Sequence, residues 1–256
     1  GLFRESLTEL VEELDPEVDD ENLRRMVLVG HSQGGLLAKL CVVESGDVFW
    51  RNLSRSPFDE LDLEPQNRRL LERSLFFDPL PFVSRVIFIA TPFRGSFLAD
   101  RWYVRFASGM VNLPGEIGDV MYELFVGDDD QLLLRSLDDM PSSVETMAPE
   151  APFIAALSGL EPDPRVHTHN IIAVLPGQEL SPEAGDGVVT VEAATIAGTT
   201  SERIVRSDHS TQVHGETLRE VRRILRTALD EAVDRPFEDT HPKIDAGHTV
   251  DPADRD

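Results

Sequence analysis

The fold is decided in Met26-Val27-Leu28-Val29-Gly30-His31-Ser32-Gln33-Gly34-Gly35-Leu36-Leu37-Ala38-Lys39-Leu40. A short apolar run predicts a buried strand. Leu36, Leu37, Leu40 and Val43 then recur at helical spacing, predicting a helix that runs to about Glu44. Between them stands Gly-x-Ser-x-Gly centred on Ser32. Such a segment is a nucleophile elbow when the serine sits on a tight strand-to-helix turn with its hydroxyl above the end of a sheet. Strand and helix backbones pass close there, and Gly30 and Gly34 supply residues without bulk. Alone the pattern is cheap, arising by chance in roughly one chain in fifteen of this length at ordinary glycine content. Its weight comes from the strand and helix around it and from residues downstream.

Working outward, 256 residues suffice for one large α/β domain with a substantial core. The text begins at Gly1 directly in a helical pattern, with Phe3, Leu7, Leu10, Val11 and Leu14 on one stripe. The chain therefore reads as part of a longer one, and its compartment stays open. No apolar run approaches the roughly 20 residues of a membrane-spanning helix. Acidic residues outnumber basic ones 47 to 24, for a formal net charge of −23. That surface would repel a phosphate backbone and argues against nucleic acid as a partner. The single cysteine, Cys41, is expected to be a small buried apolar residue of the elbow helix.

An acidic turn from Asp15-Pro16 to Glu21 ends the first helix. Residues 46–80 are polar and proline-punctuated, predicting a helix or two with loops. Phe82-Val83-Ser84-Arg85-Val86-Ile87-Phe88-Ile89-Ala90 is a near-continuous apolar run, as expected of a parallel strand covered on both faces. Residues 97–165 show no convincing strand and are expected to form a helical cap. Its Trp102, Tyr103, Phe106, Met121, Tyr122 and Phe125 would pack there or wall an acyl pocket. Further strands are expected at Asn170–Leu175 and Arg203–Arg206, and a last helix at about 215–233. Residues 234–256 carry no periodicity and are expected to be a disordered tail. Strands alternating with helices predict an α/β domain over 1–233, a mostly parallel sheet with helices on both faces.

A serine hydroxyl needs a base to take its proton, and the base needs a carboxylate to hold its tautomer. In this fold the order along the chain is Ser, then Asp or Glu, then His. Asp186, in Gly185-Asp186-Gly187-Val188-Val189, stands on the loop after the 170–175 strand. His209, in Ser207-Asp208-His209-Ser210, follows the 203–206 strand. Asp186 could instead be only a turn residue between glycines. Asp100 and Glu183 compete with it as the acid, and His214 competes with His209 as the base. Asp208 would point away from its neighbouring His209, and His31 is expected to pack or line the pocket. His167-Thr168-His169 leads into a strand with both imidazoles on one side, but no third metal ligand stands nearby. Gly127-Asp128-Asp129-Asp130 reads as a solvated acidic loop rather than a calcium site.

Gly-His-Ser-Gln-Gly-Gly, a strand ending Ala-Thr-Pro-x-x-Gly-Ser, then Gly-Asp-Gly-Val-Val and Asp-His before a final helix together resemble the bacterial lipase and esterase branch of the α/β-hydrolases. In related lipases an Asp-Gly-x-Val segment carries the acid, and the histidine follows some two dozen residues later. The resemblance implies Ser32 as nucleophile, Asp186 as orienting acid and His209 as general base, with no metal or organic cofactor. It implies a small-molecule or lipid ester as substrate. One oxyanion donor would be the backbone N–H of Gln33, and the second is expected upstream of Gly1. The same triad would also serve acyl transfer, amide cleavage or lipid-anchor deacylation. A catalytically silent α/β-hydrolase module used for binding is the remaining alternative.

Overall fold

The computed structural model describes residues 2–17, 19–61, 63–96 and 151–234. Among the described residues four strands form one sheet: β1 (Met26–His31), β2 (Val83–Ile89), β3 (His167–Val174) and β4 (Ser201–Arg206). Their spatial order is their chain order, β1-β2-β3-β4, and every pair is parallel. Each connection must therefore cross back over the sheet, and the loops that follow the strands all gather at one end. Among the described residues no helix is long and apolar enough to cross a membrane.

Alternation along the strands builds two cores. Val86 and Phe88 of β2, with Met26 and Leu28 of β1, face a cluster containing Val11, Leu36, Phe49, Ile154 and Leu157. These last five come from α1 (Leu2–Leu14), α2 (Gln33–Leu40), α3 (Val48–Arg51) and α5 (Pro152–Gly159). Ile87 and Ile89 point the other way, joining Ile171, Val205 and Val27 under Val221 and Ile224. The last two lie on the final helix, α7 (Gly215–Asp234). The 46–80 segment supplies α3 and a further helix, α4 (Pro65–Leu75), and α6 (Val191–Ala194) follows β3.

β2 and β3 are the buried strands that their apolar runs predict. β1 is not. It pairs only with β2 among the described residues, and Val29 is 50% exposed. The elbow helix is also shorter than its apolar spacing suggests, ending at Leu40 rather than near Glu44. The backbone of the next residues is claimed elsewhere: Leu80 N–H donates to Cys41 O at 2.8 Å and Asp163 N–H to Val42 O at 2.7 Å. Val43 bridges to Pro162. Cys41 itself is buried, and burial pushes its thiol up to about 11. On α7 only part of the predicted stripe is used, since Leu218, Leu225, Leu229 and Val233 remain exposed.

Of the expected cap at 97–165, residues 97–150, including Asp100 and the acidic stretch at 127–130, lie outside the described residues, as does the segment from 235 on. The part of the cap segment that is described, 151–165, contributes α5, whose Ile154 and Leu157 are buried in the sheet-flanking cluster.

A polar network running from buried Arg85 and His169 to the surface ties the lower half of the sheet to α7. Arg85 of β2 donates through Nη1 to His169 Nε2 at 2.5 Å and through Nη2 to Glu231 Oε2 at 2.5 Å. His169 Nδ1–H then donates to Ser201 Oγ at 2.7 Å. Both ring nitrogens of His169 are thus occupied, while His167 is exposed. Burial, and then the Arg85 charge, lower the His169 pKa from 6.5 to about 4. The folded chain therefore holds this ring neutral where the unfolded chain protonates it. This contribution to stability is complete above pH 6.5 and is lost as pH falls toward about 4. At most about 3 kcal/mol is at stake, less whatever solvent reaching the ring screens. Urea midpoints at pH 7 and pH 5 should fall further apart for the parent than for His169→Gln; equal differences would refute this.

Candidate active site

The elbow forms because three backbones meet at Ser32. Its N–H donates to Ile89 O of β2 at 2.8 Å, and its own carbonyl accepts from Gly35 N–H at 2.9 Å, opening α2. The serine takes φ 54° and ψ −125°, a left-handed conformation that an L-residue adopts only at a cost. That turn lifts the side chain off the strand end while the helix starts at the next residue.

Gly30 is required as expected: a Cβ there would lie 2.5 Å from Gly34 O and 2.6 Å from Gly35 Cα. The second tight position is not Gly34, which meets nothing within 4 Å. It is Gly35, where a Cβ would fall inside the Thr91 side chain at the end of β2. β1–β2 pairing brings Thr91 there, and no local spacing in the motif reveals it. Gly35→Ala should therefore lower stability by about 1–3 kcal/mol through overpacking. Gly34→Ala should be neutral or slightly stabilising, since alanine favours helix. Thermal denaturation of the two variants checks the contrast, and equal melting points would refute it.

Ser32, Asp186 and His209 come together in one hydrogen-bonded chain. His209 Nε2 lies 2.9 Å from Ser32 Oγ, and His209 Nδ1 lies 2.8 Å from Asp186 Oδ2. The three residues are 5%, 4% and 3% exposed for Ser32, His209 and Asp186 respectively. A carboxylate only accepts, so Nδ1 carries the hydrogen toward Asp186 and Nε2 offers its lone pair to the serine hydroxyl.

Asp186 is both a turn residue and a partner of the histidine. Its Oδ1 accepts from Val188 N–H at 2.9 Å and Val189 N–H at 2.8 Å, which leaves Oδ2 aimed at the ring. Gly187 takes φ +95° and Gly185 has no room for a side chain against Val189 O, so the flanking glycines let the loop fold back on itself. Ser96 Oγ, on the loop after β2, donates to Val188 O and ties that loop to this one. The competitors lie elsewhere. Glu183 is exposed, and Asp208 turns outward to accept from Ser210 N–H at 3.0 Å. His214 closes a short 3₁₀ turn at Thr211–Val213.

Gln33 is the first residue of α2, so its N–H belongs to the positive end of that helix, next to the serine. His31 has a partner that its sequence context gives no sign of. Its Nε2 lies 2.8 Å from the carbonyl oxygen of His209, 178 residues away. Among the described residues no three histidine, cysteine or carboxylate side chains are grouped to hold a metal ion.

Among the described residues, a parallel sheet flanked by helices, a strand–Ser32–helix turn and polar groups on the loops after β1, β3 and β4 make up an α/β fold with the site at the strand ends. No family model matches the sequence, and no curated protein matches it. Solved structures similar to this chain include the mature lipase BlEst2 of Bacillus licheniformis, at 16% identity over 87% of this chain and 71% of that one, TM-score 0.43. EstA from Clostridium botulinum is 14% identical over 74% of this chain and 60% of its own, TM-score 0.42. The lipase of Staphylococcus hyicus is 11% identical over 82% of this chain and 69% of its own, TM-score 0.40.

Proposed function

We propose that the chain is a serine hydrolase that cleaves carboxylic esters of small-molecule or lipid substrates through Ser32, His209 and Asp186. The observation that carries this reading is the buried relay from Ser32 Oγ to His209 Nε2 and from His209 Nδ1 to Asp186 Oδ2. In it, Nε2 takes the hydroxyl proton as Oγ attacks the ester carbonyl. Asp186 holds the tautomer that makes this transfer directional and stabilises the imidazolium that results. The developing oxyanion would lie toward Gln33 N–H, where a helix terminus favours negative charge. His209 then gives its proton to the leaving alcohol, and an acyl-serine remains. Water, deprotonated by the same ring, completes hydrolysis.

The test is a fluorophosphonate probe together with p-nitrophenyl esters of short and long acyl chains. Labelling at Ser32 and ester turnover are the expected results. A chain that is neither labelled nor active would instead be a silent module. Product analysis with competing alcohols separates hydrolysis from acyl transfer.

A further inference from the structure

His31 occupies the position before the serine, and nothing in the relay uses it. Its ring nevertheless packs on the relay's base: the His31 and His209 ring centroids are 5.0 Å apart at an interplanar angle of 45°. Its Nε2 lies 2.8 Å from the His209 main-chain oxygen. A carbonyl oxygen can only accept, so Nε2 of His31 must carry a hydrogen and donate it. His209 is therefore gripped from two sides. Ser32 and Asp186 hold its ring, and His31 holds its backbone.

That backbone stands on a loop. His209 lies beyond the end of β4, and Ser207 N–H, which donates to Val174 O at 3.0 Å, ties the exit of that strand to β3. On either side of it Asp208 Oδ1 accepts from Ser210 N–H at 3.0 Å and Ser210 O accepts from Val213 N–H at 3.3 Å, bonds that stay within the same loop. β1 and β4 are also separated by β2 and β3 in the sheet. A bond from the last residue of β1 to the histidine's own carbonyl spans that separation directly. It fixes the serine and its base in one frame, because His31 and Ser32 are consecutive residues.

We infer that His31 is a positioning residue, whose Nε2–H holds the His209 main chain so that the imidazole stays in line between Ser32 and Asp186. The inference rests on the ester-hydrolase reading above. Burial holds the His31 ring below the ordinary imidazole range. It therefore stays neutral and adds no second positive charge beside His209 when that ring takes the serine proton. Small misplacements of a base are costly because proton transfer in the attack demands close alignment.

Three variants test it: His31→Phe and His31→Met fill the volume without a donor, and His31→Gln restores an amide N–H. The Phe and Met variants should lose about tenfold in kcat, the worth of one well-placed hydrogen bond. They should lose a similar factor in the rate of fluorophosphonate labelling, with KM within about twofold of the parent. His31→Gln should recover most of both. If the Phe variant does not fold, the Met variant carries the comparison. A donor-free variant with parental kcat and labelling rate overturns the inference. So does a Gln variant as impaired as Phe, which would mean that ring packing and not the hydrogen bond matters.

A parent that neither turns over esters nor takes the probe would overturn the ester-hydrolase reading alone. The positioning role is then read from ¹⁵N-histidine NMR. A low-field His209 Nδ1–H signal kept in the parent and His31→Gln but lost in His31→Phe supports it, and a signal unchanged in His31→Phe overturns it.

Discussion

Ser32→Ala is expected to lower kcat on p-nitrophenyl esters by about 10⁴–10⁶, the range found when a triad serine is removed from a hydrolase that depends on it. The substitution deletes only Oγ, the atom 2.9 Å from His209 Nε2. Alanine tolerates the left-handed turn no worse than serine, so the elbow should keep its shape and the melting temperature should hardly move. The loss should appear in kcat, with binding of an ester analogue little changed, because the hydroxyl acts on the reacting carbonyl and not on the rest of the substrate. Fluorophosphonate labelling should vanish in the same variant. Undiminished hydrolysis would remove Ser32 from the reaction.

Asp186→Asn should cost about 10³–10⁴ in kcat, and the reason is a tautomer. An asparagine can keep its oxygen on the Val188 and Val189 N–H groups, so the loop survives. Its amide nitrogen would then face His209 Nδ1 in place of Oδ2. That nitrogen is a donor, so Nδ1 must accept and the ring's hydrogen moves to Nε2. Nε2 can no longer take a proton from Ser32. The variant should fold with a parental melting temperature and show the inverted tautomer in ¹⁵N NMR. A loss of less than tenfold would mean that another carboxylate orients the ring.

The sheet was legible because buried parallel strands write themselves as apolar runs, and 82–90 and 170–175 are such runs. The residues of the relay were legible as candidates through their order and their strand-end positions, and through the glycines around Ser32 and Asp186. Features that depend on partners distant in the chain were not. Gly35 is tight because Thr91 lies against it, and α2 stops at Leu40 where Leu80 and Asp163 take the carbonyls of Cys41 and Val42 just beyond it. His31 faces an acceptor 178 residues on, and no periodicity encodes that distance. His169 read as half of a histidine pair, yet its ring is consumed by Arg85 from the neighbouring strand and Ser201 from the next. The stripe on α7 misled in the opposite direction, since amphipathic spacing says which residues share a face and not how much of that face is covered.

Ser32 and His209 leave the sheet from its two outer described strands, β1 and β4, and still meet at 2.9 Å. The relay thus works like a clasp fastened across the four described strands of a ribbon. Among the described residues β1 and β4 are each paired on one side only, and backbone with fewer paired neighbours opens more readily. Fraying at either margin would part nucleophile from base while the central β2–β3 pair stayed zipped. Competence and foldedness are for this reason two thresholds, with the first crossed before the second as conditions grow harsher.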